Sequence, residues 1–245
     1  MISPTLLSLL SPTGKLRVGI NYGNPVLATR DPTSGDLRGV AVDLARELGR
    51  RVGVPVELVG YESAGQMVEG VRSGAWDVAF LAVEPGRAGE LSFTAPYIEI
   101  EGTYLIPAGS ALRTIADVDR EGVRVAVSAK SAYDLFLSRS LKSAQLVRAP
   151  DPNASFELLV AGKADVVAGV RQPLLTGAEK LPGSRVLDGR FMAIQQALGF
   201  SKDRDPCAKY LREFIEDVKA SGLVAQAIEK AGVRGVSVAS RAPVE

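Results

Sequence analysis

The stretch from Gly74 to Tyr97 restricts the fold more than any other part of the chain. It reads Gly-Ala-Trp-Asp-Val-Ala-Phe-Leu-Ala-Val-Glu-Pro-Gly-Arg-Ala-Gly-Glu-Leu-Ser-Phe-Thr-Ala-Pro-Tyr. A turn at Ser73-Gly74 opens it. The apolar run Val78 to Val83 follows, too short and without the spacing of a helix, which predicts a buried strand. Glu84-Pro85-Gly86 breaks that strand. Arg87 therefore stands just beyond the strand's C-terminal end. Open α/β sheets bind ligands at that edge. A guanidinium there can grip a carboxylate through two parallel charge-assisted bonds. A surface Arg beside Glu84 or Glu90 is the competing reading.

Composition removes several classes of function. The chain has 245 residues, enough for one large or two small domains. Its net charge of +1 leaves no basic footprint for nucleic acid. There is no His and a single Cys, Cys207. Ser-His and Cys-His nucleophiles, an internal disulfide and a Cys-type zinc site are excluded, and no metal or cofactor is expected. No apolar run approaches the roughly 18 residues needed to span a bilayer. Met1 to Leu10 is apolar but short, and lacks a basic leader region and a clear cleavage site. It predicts a small helix begun at Ser3-Pro4 and stopped before Pro12. Either a precursor was trimmed and given a new Met1, or the protein is not exported.

Read in order, the chain alternates strands and helices. Lys15 to Ile20 is a strand, followed by the loop Asn21-Tyr-Gly-Asn-Pro25. Gly39 opens a helix through Arg50, with Val42, Leu44, Ala45 and Leu48 on its apolar face and Asp43 as a cap or dipole partner. Val54 to Val59 is a strand, ended by Tyr61-Glu62, and Ala64 to Ser73 a helix. With the Val78 strand, these βα units predict a doubly wound sheet. Ile98 to Ile106 alternates like a long strand. Val123 to Val127 is a strand and leads to a helix through Leu141 that Ser131 caps. Ser155 to Ala161 is a helix. Gly162-Lys-Ala-Asp-Val-Val-Ala168 echoes the phrase Gly74 to Ala79. Phe191 to Phe200 is a further long strand. Amphipathic helices follow over 206–220 and 222–230, and the tail from Val233 to Glu245 is expected to fray.

The order Gly-x-x-Asp-Val, apolar strand, break, Arg87, then Phe93-Thr-x-Pro96-Tyr97 resembles the core signature of the family-3 extracellular solute-binding proteins. These are the amino-acid-type receptors of ABC importers. The resemblance implies an α/β fold of the type II periplasmic-binding class, with two lobes, each a doubly wound sheet, joined by a two-strand hinge. Lobe I would take residues 1–98 and 196–245, and lobe II the inserted 99–195. It implies that Arg87 clamps the ligand's carboxylate. The Thr usually found three residues before the Arg is Glu84 here. From lobe I the expected contacts are Tyr22, Asn24, Ala82, Glu84 and Arg87, though plain turn chemistry serves Asn24 equally well. From lobe II they are Ser131, Ala132, Tyr133, Gly169 and Arg171. The helix start at Ser131 offers its N–H groups to an anion. The acid that pairs with an amino acid's ammonium is missing: Ala168, Gly169 and Val170 stand there, followed by Arg171. An unpaired buried ammonium is costly. Glu84 or Glu62 therefore replaces the acid, or the ligand lacks an ammonium and Arg171 holds a second acidic group.

The expected function is a receptor that binds a small carboxylate-bearing metabolite, an amino acid or related organic acid, between the lobes and closes around it. Its expected partner is an ABC permease in the membrane, with no nucleic acid. A monomer is expected, periplasmic if a signal peptide was removed and otherwise cytoplasmic. Two alternatives share the fold: an enzyme resembling cyclohexadienyl dehydratase, and a ligand-sensing module.

Overall fold

A computed structural model describes residues 2–243. Helix α1 (Pro4–Leu10) comes first, with Ser3 Oγ accepting from Leu6 N–H and Pro4 in its first turn. It is followed by β1 (Leu16–Asn21), a two-stranded ribbon of β2 (Thr29–Arg30) and β3 (Leu37–Arg38), α2 (Val40–Val52), β4 (Val56–Tyr61), α3 (Ala64–Glu69) and β5 (Val78–Ala82). A 3₁₀ turn, Pro85–Arg87, leads to the long strand β6 (Leu91–Ile106). Then come β7 (Arg124–Ser128), α4 (Ala132–Ser140), β8 (Gln145–Ala149), α5 (Pro152–Val160), β9 (Val166–Val170), α6 (Arg171–Glu179) and β10 (Arg185–Val186). Strand β11 (Met192–Ser201), a 3₁₀ turn over Lys202–Cys207, α7 (Ala208–Ala220), α8 (Leu223–Ala231) and β12 (Val236–Val238) complete the chain.

The chain forms two compact units. The first takes Met1–Glu99 and Gln195–Glu245, and the second Ile100–Ile194. Within the first, β4, β1 and β5 lie side by side and parallel, and β11 runs antiparallel to β5 with Gln196 opposite Ala82. Every residue of β5 is buried, as a strand covered on both faces requires. Helix α2 buries Val40, Ala41, Leu44, Ala45, Leu48 and Val52, and Gly53 ends it in the left-handed conformation that other residues resist. Asp43, in the first turn of α2, accepts from Lys230 Nζ at 3.0 Å and ties α2 to α8.

Within the second unit, β9, β7 and β8 are parallel and β9 pairs antiparallel with β6. Leu105, Ala126, Leu159, Ala164, Val167 and Leu174 form a core on one face. Helix α5 begins earlier than its apolar pattern suggests. Asp151 accepts from Ala154 N–H at 2.8 Å, with Pro152 in the first turn. Helix α3 ends earlier than expected, at Glu69, with Gly70 as its C-cap.

The expectation of a frayed tail is corrected over its described part, which runs to Pro243. Residues Val236–Val238 pair with β6, and Ala239 N–H donates to Tyr97 O at 3.0 Å. The nearly buried amine of Lys219 donates to Pro96 O and Ser240 O and pairs with Glu216. A strand edge and a buried amine, both needing partners, hold the tail down. Val244 and Glu245 lie outside the described residues.

Candidate functional site

The residues named from the sequence fall into both units. In the first, Ala82 is the last residue of β5, and Glu84 begins the 3₁₀ turn that carries Arg87. The turn closes through Arg87 N–H to Glu84 O at 2.9 Å. It folds the guanidinium back so that Nη1 donates to Ala82 O at 2.7 Å. Arg87 is 4% exposed and Glu84 3%. Burial pushes the Arg87 guanidinium down to about 10, and the charge of Glu84 works against that. Ala82, Glu84 and Arg87 are thus one local assembly, with Glu84 supporting the cation beside it.

Tyr22 stands just past β1, its N–H donating to Tyr61 O at 2.9 Å. Arg30 lies over the Tyr22 ring, 5.4 Å from its centroid, and Arg30 Nη1 donates to the Tyr22 hydroxyl at 3.2 Å. The hydroxyl in turn donates to Glu62 Oε1 at 3.5 Å. Gly23 permits the close approach of the two loops: a Cβ there would sit 1.7 Å from the Glu62 carbonyl oxygen. Asn24 Oδ1 accepts from Val26 N–H at 3.2 Å, which is turn chemistry. Phe80 is core, packed edge-on against Tyr97 at 5.4 Å.

In the second unit, Ser131 caps α4, its Oγ accepting from Asp134 N–H at 3.0 Å. Among the described residues the N–H groups of Ala132 and Tyr133 have no backbone acceptor. Lys130 precedes the cap with φ 59°, and its N–H donates to Asp134 Oδ2. Asp134 is held in turn by Arg148 at 3.0 Å. Burial pushes the Tyr133 phenol up to about 12, and hydrogen bonds with the hydroxyls of Ser131 and Ser128 draw it back.

Two positions differ from their expected roles. Arg171 opens α6 with its fork already engaged: Nε on Glu101 at 2.5 Å, Nη1 on Leu187 O at 3.4 Å and Nη2 on Gly189 O. An arginine tied this way braces the loop over 187–189, and a second acid on a ligand would have to displace Glu101. Gly169 lies within β9 opposite Thr103. A Cβ on it would stand 3.3 Å from Leu174 Cδ2, toward the apolar core. A side chain at 169 would therefore meet Leu174 and not water.

Neither Arg30 nor Gln196 is marked by a motif in the sequence. Arg30 ends the two-residue strand β2, too short to show any periodicity. Only the fold brings it onto Tyr22. Gln196 is 4% exposed, and its Oε1 has no hydrogen-bond partner among the described residues.

An α/β chain with an arginine at the end of a buried parallel strand has the layout of a type II periplasmic-binding protein. The sequence model of the bacterial extracellular solute-binding proteins, family 3, matches residues 16–233. The chain belongs to that family. It is 23% identical over 220 residues to a glutamine-binding protein of Geobacillus stearothermophilus, covering 84% of this chain and 79% of that one. It is 24% identical over 235 residues to cyclohexadienyl dehydratase of Pseudomonas aeruginosa, covering 91% and 84%. The virulence sensor protein BvgS of Bordetella pertussis is 26% identical over 136 residues, 55% of this chain but only 11% of the sensor's length. Among solved structures, a receptor for L-cysteine of Neisseria gonorrhoeae superposes with a TM-score of 0.79 at 24% identity, covering 92% of each chain.

Proposed function

We propose that this solute-binding protein is the receptor of an ABC-type importer and binds a small carboxylate-bearing metabolite, an amino acid or related organic acid. Arg87 carries the reading. Its charge is disfavoured by burial, and a carboxylate arriving there regains for the ion what burial removed. The start of α4 supplies the second set of donors, the N–H groups of Ala132 and Tyr133 with the Ser131 hydroxyl. In a two-lobed receptor a ligand that contacts both lobes favours a closed state over an open one. The permease is the partner, the compartment is periplasmic if a signal peptide is removed and cytoplasmic otherwise, and the working form is a monomer.

Native mass spectrometry of freshly purified protein should show a retained acid. A melting-temperature screen should rank carboxylates and amino acids above neutral amides and sugars. Stabilisation by neutral sugars alone contradicts the reading. Small-angle scattering should show compaction with the best stabiliser.

The dehydratase relative raises a second reading, catalysis on the same fold. That chemistry needs a general acid at the end of β9. Gly169 and Val170 cannot supply a proton there, and Arg171 is bound to Glu101. Turnover of prephenate or arogenate that Glu84→Gln abolishes would establish it.

A further inference from the structure

The geometry points to Arg30, seated on Tyr22, as a second anion-binding group of the first unit, which makes the ligand a diacid. This inference rests on the receptor reading and narrows it. The register Val18↔Val78 between β1 and β5, carried forward four residues, brings Tyr22 level with Ala82. Adjacent strands lie about 5 Å apart. The Tyr22–Arg30 pair and the Arg87 turn therefore share the C-terminal edge of one sheet.

Arg30 is fixed in a way that an ordinary surface arginine is not. Its guanidinium covers the Tyr22 ring and donates to the ring's hydroxyl. Stacking and a hydrogen bond together hold the planar fork and reduce the ordering cost of binding. Neighbouring carboxylates are otherwise occupied. Asp31 accepts from the N–H groups of Thr33 and Ser34, both at 2.9 Å, and lies 3.7 Å from Arg38. Glu62, just past the end of β4, faces the Tyr22 hydroxyl. Among the described residues Arg30 makes no ion pair within 4.0 Å. Arg171 in the second unit is neutralised by Glu101, so a second acid is better served at Arg30.

A diacid would place one carboxylate on Arg87 and the other on the Arg30 fork. Glu62 beside it sets the limit, since its charge opposes a second anion and favours a donor on the ligand nearby.

Calorimetric titration with matched probes tests this: L-glutamate against L-glutamine, and succinate against butyrate. The wild type should favour the diacid of at least one pair by about tenfold or more, the worth of one charge-assisted contact. Arg30→Ala should bring that ratio near one, by lowering affinity for the diacid far more than for its uncharged partner. Arg30→Lys should restore part of it, because the charge returns without the fork. Arg30 is exposed, and circular dichroism of each variant checks that the fold persists. Equal wild-type affinity within both pairs overturns the inference while the receptor reading stands. So does a preference that survives in Arg30→Ala. If no probe binds the wild type, this inference falls, and the melting-temperature screen decides the receptor reading by itself.

Discussion

Both units contain the same clasp, built twice from the same phrase. In the first, Arg17 N–H and Nε donate to Asp77 Oδ2 at 2.8 and 3.1 Å, and Arg17 Nη2 to Oδ1 at 2.7 Å. Arg17 Nη1 reaches Gly74 O, and Asp77 N–H returns to Arg17 O. In the second, Arg124 N–H and Nε donate to Asp165 Oδ2 at 2.8 and 3.0 Å, and Nη2 reaches both Asp165 Oδ1 and Gly162 O. Asp165 N–H returns to Arg124 O. Gly-x-x-Asp-Val is therefore a structural phrase: its Asp pins the start of one strand to the start of the next. The two clasps differ in what surrounds them. Asp77 is fully buried and also accepts from Arg204 Nη2 at 2.8 Å. The Asp165 side chain is 40% exposed. The first unit is assembled from two distant chain segments, and Arg204 staples the later one to the earlier. The second unit is continuous and has no such join.

Asp77→Ala should be the most damaging change at either clasp. It leaves Arg17 and Arg204 without the carboxylate they share, at a cost of about 3–5 kcal/mol. Urea denaturation measures it, and a loss under about 1 kcal/mol would make the two clasps equivalent. Arg204→Ala should cost less, since Arg17 still pairs with Asp77. It should loosen the docking of 195–245, read as faster amide exchange in α1, which Arg204 also contacts through Leu9 O.

Asp165→Asn should have the smallest effect and a defined pH dependence. The hydrogen bond from Arg124 holds the Asp165 carboxyl below its usual 3.8. A depressed carboxyl stabilises the fold above its unfolded value and loses that contribution as pH falls through the folded value. Wild type should exceed Asp165→Asn in melting temperature at neutral pH, and the gap should close below about pH 4. A gap that widens on acidification would contradict the assignment.

Much of this was legible in the sequence. The apolar run at 78–83 marked β5, the Ser3-Pro4 and Ser131 caps marked their helices, and Arg87 emerged as the end of a strand. These signals are local: periodicity, capping chemistry and breaker residues. What stayed hidden depends on partners far along the chain. Gly169 reads as a strand-end position, but the direction of its missing Cβ, toward Leu174, is set by packing against α6. Arg171 reads as a spare cation until Glu101, 70 residues earlier, takes it. Arg204 follows the long strand with no motif to mark it, and only the fold places it on Asp77. The tail reads as frayed because its partner, β6, begins more than a hundred residues before it.

The central claim is that Arg87 grips the ligand's carboxylate. Calorimetric titration of Arg87→Lys and Arg87→Ala against the best-binding acid tests it most directly, with circular dichroism confirming that each variant is folded. The account predicts that Arg87→Ala weakens binding by about a hundredfold or more and that Arg87→Lys recovers only part of it, because a point charge cannot make the paired contact. Wild-type affinity in a folded Arg87→Ala protein would contradict it.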